Sequence, residues 1–128
     1  MGAFDDEKFF TLLTWKEKYL KGYTGDLLLQ MDIEGAEYPV ILSTPSELLN
    51  QFRILVIEVH YLDRLFDPCC IDFFASWIDK ILASFSVVHI HPSSFNGSAK
   101  RGNIEIPRLL EFTFLNNSRI TNATPART

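Results

Sequence analysis

The 128-residue sequence has only two cysteines, the neighbours Cys69 and Cys70. Adjacent cysteines rarely close a relaxed disulfide and no third thiol is present, so a disulfide scaffold and a thiolate metal site are both excluded, and two buried or half-buried free thiols are expected. Positive charge is not in excess: 12 Lys and Arg stand against 16 Asp and Glu, a net charge of -4. That removes the basic footprint a phosphate backbone requires, and with it nucleic acid as the primary partner. No apolar run approaches the roughly 20 residues of a membrane-spanning helix. The opening Met1-Gly-Ala-Phe-Asp-Asp-Glu-Lys has neither the basic stretch nor the apolar stretch of a signal peptide. A soluble protein with no membrane segment, cytoplasmic if the chain is complete, is expected, and the sequons at Asn96, Asn116 and Asn122 are then chance. Glycine is scarce at six residues. No Gly-x-Gly turn follows a strand before residue 26, and no acidic residue ends a strand ahead of it to hold a ribose.

What remains is an ordinary globular composition, 47% hydrophobic and 22% charged, sized for one domain. Eleven phenylalanines are a high count; most are expected in strands and on inner helix faces, and some can mark surface that a missing partner or domain covers. Apolar spacing of three and four predicts a helix over 5–21, ended by Gly22 and Gly25. A strand over 26–31 and a short helix over 35–42 follow, with Pro39 tolerated in the first turn. Thr44-Pro45-Ser46-Glu47 reads as a capping box opening a one- or two-turn helix. Residues 54–59 are nearly continuous apolar and β-branched, as in a strand covered on both faces. Asp67-Pro68 opens a helix to about Phe85, with Ile71, Phe74, Ile78, Ile81 and Leu82 on one face. A strand over 86–90, a loop over 92–103 and a last, antiparallel strand over 109–115 complete the pattern; residues 116–128 read as a polar, disordered tail.

The chemistry concentrates in Leu27-Leu-Leu-Gln-Met-Asp-Ile-Glu-Gly-Ala-Glu37, a strand that breaks into an acidic, glycine-bearing turn and resumes as helix. Ligands of open α/β sheets sit beyond the carboxyl ends of strands, which is where Asp32 and Glu34 fall. Asp32 can orient a cationic cofactor or take a proton, or simply cap the helix. Glu34 can bind a ligand or the helix amides. Gly35 permits positive φ or close approach of a ligand. Glu37 reads as serving the helix N-terminus. Glu58 and His60 lie two apart on one strand and share a face, and a Glu in so apolar a strand needs a partner. Histidine is the side chain that changes charge near neutral pH, which makes His60 the best general base by type, although a structural hydrogen bond is an equal alternative. His89 and His91 alternate likewise on the next strand. With Asp32, Glu34 and His60 they are ligand types a divalent metal accepts, which leaves a metal-binding, hydrolase-like domain as a rival reading; no residue is assigned to a metal. Lys100 and Arg101 form a basic pair that can meet an anion or merely be solvated.

Asp32-Ile-Glu-Gly-Ala-Glu37 after its Leu-rich strand, with Ile54-Leu-Val-Ile-Glu-Val-His60, Val87-Val-His-Ile-His-Pro92 and Ile106-Pro-Arg-Leu-Leu-Glu-Phe-Thr-Phe114 in that order, resembles the FkbM-type family of S-adenosylmethionine-dependent methyltransferases over about residues 9–115. The resemblance implies an α/β fold: the C-terminal half of a class I, Rossmann-like methyltransferase sheet, with mostly parallel strands, flanking helices and one antiparallel strand at the C-terminal end, inserted between its two predecessors. Residues 1–115 would then be a partial domain without the cofactor-binding N-terminal strands. The resemblance further implies S-adenosylmethionine as cofactor, held by Asp32, Glu34 and Gly35, with Asp32, Glu58 and His60 catalytic. The acceptor would be a small molecule or sugar methylated on oxygen and met by His89, His91 and Asn96, in a loop that reads Ser93-Ser94-Phe95-Asn96 where relatives carry an Asn pair and a cysteine. A non-catalytic remnant that self-associates through an uncovered sheet edge is the alternative from another class.

Overall fold

The computed structural model describes residues 1–6, 9–93 and 96–124. In chain order the elements are α1 (Leu12–Tyr19), β1 (Leu27–Met31), α2 (Glu37–Ser43), α3 (Ser46–Leu49), β2 (Phe52–Val59), a 3-10 turn (Leu62–Phe66), α4 (Pro68–Leu82), β3 (Phe85–Pro92), β4 (Ser98–Arg101), β5 (Ile104–Pro107), β6 (Leu110–Asn116) and a 3-10 turn (Asn117–Arg119). Of the helix expected over 5–21, residues 7 and 8 lie outside the described residues. Its regular part begins only at Leu12, because the Thr11 hydroxyl caps it by accepting from the Thr14 amide.

One sheet has the strand order β1-β2-β6-β3. β1 and β2 pair in parallel, whereas β6 runs antiparallel to both β2 and β3. The expectation of mostly parallel strands is therefore overturned: one pairing of this sheet is parallel and two are antiparallel, and β4 with β5 adds a second, wholly antiparallel sheet. The cause is where β6 enters. β2 and β3 share a direction, and one reversed strand between them replaces a parallel contact with two antiparallel ones.

The β4–β5 hairpin also corrects the loop expected over 92–103. Ser98 pairs with Pro107 and Arg101 with Ile104, across a two-residue turn of Gly102 and Asn103. Gly102 has φ +61, the positive φ at the first central position that a type II′ hairpin turn requires. Ser94 and Phe95, within the same expected loop, lie outside the described residues, as do residues 125–128 of the expected tail.

Burial in β2 alternates instead of running continuous. Leu55, Ile57 and Val59 are fully buried, while Ile54, Val56 and Glu58 are half-buried on the opposite face. Val40 and Ile41 of α2 and Trp77 and Ile81 of α4 join Leu55, Ile57 and Val59 in one buried cluster, whereas the other face of β2 is only half covered, which corrects the expected full cover on both sides. α4 starts as its sequence reads, with Asp67 accepting from the Cys69 amide and Pro68 in the first turn. Its inner face is led by Trp77 and Ile81, with Phe74 and Ile78 beside them; Ile71 and Leu82 are exposed. Cys69 is exposed and Cys70 half-buried, both free. Thr44 does not cap α3: it is the C-cap of α2, where its hydroxyl donates to the Val40 carbonyl, leaving Pro45 at the start of α3 without a side-chain cap. Asn116 is buried and donates to the Asn50 and Phe52 carbonyls, and Arg119 beyond it pairs with Asp26. Among the described residues no helix is long and apolar enough to cross a membrane.

Candidate active site at the ends of the first two strands

β1 buries Leu29 and Met31 and then releases Asp32 at its carboxyl end. The chain reverses through Glu34 at φ 54 and Gly35 at φ 100 before α2 begins at Glu37. A glycine is required at position 35 on two counts. The left-handed backbone disfavours a side chain, and a β-carbon there would lie 2.4 Å from Cε2 of Tyr61. Tyr61 is itself left-handed, at φ 59. Three positive-φ residues thus border one crevice, and such strain, of order 1–3 kcal/mol per non-glycine residue, tends to gather at functional sites.

Glu37 holds the two strand ends together. It is completely buried. One carboxylate oxygen accepts from the Gly35 amide at 2.8 Å; the other accepts from the His60 amide at 2.7 Å and lies 3.0 Å from His60 Nδ1. A backbone N–H on each oxygen makes the carboxylate an acceptor on both sides, so in the neutral ring Nδ1 carries the proton and Nε2 presents its lone pair toward the crevice. The Tyr38 hydroxyl donates to the His60 carbonyl at 2.7 Å. Burial, reinforced by the charge of Glu37, raises the Tyr38 phenol well above its ordinary pKa and keeps it a donor.

His60 Nε2 lies 3.4 Å from Glu34 Oε2 and 3.7 Å from Asp32 Oδ1. Asp32 is half exposed and Glu34 largely exposed, whereas the His60 side chain is 10% exposed, so two solvated carboxylates face one enclosed imidazole. Glu58 joins them: burial, then a hydrogen bond and repulsion from Asp32, with Glu111 adding to it, raise its carboxyl pKa against an opposing pull from His60. Ligand-capable atoms of Asp32, Glu58 and His60 all lie within 4.8 Å of one another.

Of these groups Glu34 and His60 line a crevice of about 440 Å³, together with Tyr61, Arg64, Asn96 and Arg108 among others. Beside it an apolar pocket of about 150 Å³ is lined by Tyr38, Tyr61, Cys70 and Phe73 among others. Asp32, Glu34, Gly35, Glu58, His60 and Asn96 are thus brought to one region. His89 and His91 are not. They stack on each other on exposed β3, with ring centroids 6.3 Å apart. The register runs Glu58–Glu111–His91 across three strands, which puts His91 two strand spacings, about 10 Å, from Glu58. Lys100 and Arg101 lie on β4, where the Arg101 guanidinium donates to the Phe66 carbonyl.

The family pattern described as the methyltransferase FkbM domain matches residues 18–93, more than half of the chain. The chain belongs to the FkbM methyltransferase family. The match spans β1, the acidic turn, β2, α4 and β3, and stops short of the Ile106–Phe114 block. No curated protein and no solved structure matches the chain.

Within this FkbM domain, sequence reasoning gave Glu37 too small a part. It was assigned to its own helix, yet it spends both oxygens on the turn before it and on the neighbouring strand end. The available signal was its place at the first helical position, directly after a turn that brings the helix back onto the sheet. Arg64 and Arg108 had no signal, because they reach the crevice from the 3-10 turn and from the segment before β6.

Proposed function

We propose that this FkbM-family chain carries the acceptor side of an S-adenosylmethionine-dependent site that methylates an oxygen of a small molecule or sugar. The observation that carries the reading is the convergence of Asp32, Glu58 and His60 at the ends of two paired strands. S-adenosylmethionine, when bound, supplies a methyl group on a cationic sulfonium. The donor set suits it: Asp32 and Glu34 offer negative charge toward a cation, and a phosphate cradle is not needed for a cofactor without phosphate. His60 Nε2, held bare by Glu37, takes the proton of an acceptor hydroxyl as the oxygen becomes the nucleophile. Asn96, Arg64 and Arg108 give the crevice hydrogen-bond donors for a polar acceptor.

The reading includes a partial domain, because no glycine-rich strand turn precedes β1, and among the described residues β1 pairs only with β2. A backbone NMR titration of the chain with S-adenosylhomocysteine tests both parts. Shifts confined to Asp32–Glu37 and His60, saturating only near millimolar ligand, are the expected result. Unmoved signals at that turn would remove the methyl-transfer reading; micromolar saturation would remove the partial-domain part.

A second reading, self-association, is favoured by the free edge of β1 and by Leu28 at 62% exposure. Size-exclusion chromatography decides it, since a clean monomer across concentrations contradicts pairing through that edge.

A further inference from the structure

We infer that Asp32, Glu58 and His60 Nε2 form a binding site for one divalent transition-metal ion of the manganese or zinc type. The inference stands on geometry and does not require the methyl-transfer reading; an ion on Nε2 takes the lone pair which that reading uses as a base, so with the ion bound an acceptor hydroxyl would lose its proton to water instead of to His60.

Three features point to a cation. The ligand-capable atoms lie within 4.8 Å of one another and hang on two hydrogen-bonded strand ends, so their spacing is set by the sheet. Donors on one ion of this size sit about 3–4.5 Å apart, so small rotations of the Asp32 and Glu58 carboxylates close the set. The second feature is His60, which is 8% exposed and aimed into the cluster. Its Nδ1 faces Glu37, and among the described residues its Nε2 makes no hydrogen bond while facing Asp32 and Glu34. A histidine whose far nitrogen is held by a buried carboxylate is the arrangement that orients imidazole toward a metal and raises its basicity.

The third feature is charge. Asp32 and Glu34 follow β1 and Glu58 lies near the end of the neighbouring β2, with Glu111 in the adjoining register, and among the described residues no lysine or arginine pairs with any of these four. A dication would relieve that repulsion. One imidazole and two carboxylates favour manganese or zinc over calcium, whose sites are built from six to eight oxygens. Glu34, exposed and 3.4 Å from Nε2, is placed to swing in as a fourth ligand. The remaining positions would open toward the crevice, where water or a substrate oxygen can enter.

The stacked His89–His91 pair is a competing chelator and sets the control. The 128-residue chain, dialysed against chelator and then freed of it, is titrated with Mn²⁺ by calorimetry, and the paramagnetic broadening of backbone and His60 ring signals is followed by NMR. Expected are one ion per chain, broadening centred on Asp32, Glu58 and His60, and affinity reduced about tenfold or more in Asp32→Asn and in Glu58→Gln. The doubly substituted His89→Ala, His91→Ala chain should keep its affinity. Both carboxylate variants are near-isosteric, and circular dichroism verifies that they fold. The inference is overturned if millimolar Mn²⁺ gives no saturable binding, if D32N and E58Q bind as the parent does, or if broadening and affinity follow the His89–His91 pair.

Discussion

His60 and the pair His89–His91 occupy similar places in the sequence, each at or near the carboxyl end of a strand and each within an x-His pattern next to apolar residues. Their surroundings separate them. His60 is buried, held through its amide, carbonyl and ring by Glu37 and Tyr38, and turned toward two carboxylates. His89 and His91 stand exposed on a sheet-edge strand and stack on each other. A histidine gains a chemical role from what fixes its ring, and in this protein the fixing group sits 23 residues away in sequence, on the helix after the acidic turn.

The sharpest way to break this contrast is to remove the group that creates it. Glu37→Ala leaves the Gly35 and His60 amides and the His60 ring nitrogen without their acceptor, and should destabilise the fold by roughly 3–5 kcal/mol, the scale of leaving several buried donors unsatisfied. Urea denaturation reads this directly. Next in size, Gly35→Ala forces a side chain into a left-handed backbone and against Tyr61, with an expected loss of about 1–3 kcal/mol. Adding Tyr61→Ala should recover the steric part and leave the backbone part, which a double-mutant cycle separates.

A smaller effect is expected with pH. Folding raises the Glu58 carboxyl pKa above its ordinary 4.5, so the native state holds this proton more tightly than the unfolded chain. The stability it confers is present in full below pH 4.5 and is lost as pH rises through the folded value. Denaturant midpoints should decline over that interval in the parent and flatten in Glu58→Gln. The smallest effect belongs to the other member of the comparison: His89→Ala and His91→Ala, exposed and without a hydrogen bond among those found, should each change stability by no more than about 0.5 kcal/mol.

The parts legible in the sequence are those decided by neighbours along the chain. Asp67-Pro68 starts α4 because a side-chain acceptor and a missing N–H are both local facts. The acidic turn after β1 is legible because a Leu-rich run and a left-handed Glu-Gly step lie within eleven residues. The capping box at Thr44 failed although it is local, since the Val40 carbonyl at the end of α2 offered the hydroxyl a partner. The entry of β6 between β2 and β3 follows from family likeness, but strand direction is set by pairing across the sheet and leaves no mark in the local sequence, so the excess of antiparallel pairings is visible only in the structure. The β4–β5 hairpin was obscured because its strands are four residues each and polar, so they carry no clear alternation. Glu37 was misjudged because its burial depends on His60 arriving from the next strand.

The central claim is that Glu37 locks the neutral His60 ring so that bare Nε2 faces Asp32 and Glu34. Nitrogen-15 NMR of the neutral His60 ring, assigned through the chain, tests it most directly. The account predicts a proton on Nδ1 and an unprotonated Nε2, with the pattern lost on Glu37→Gln. A neutral ring carrying its proton on Nε2 in the parent protein would contradict it.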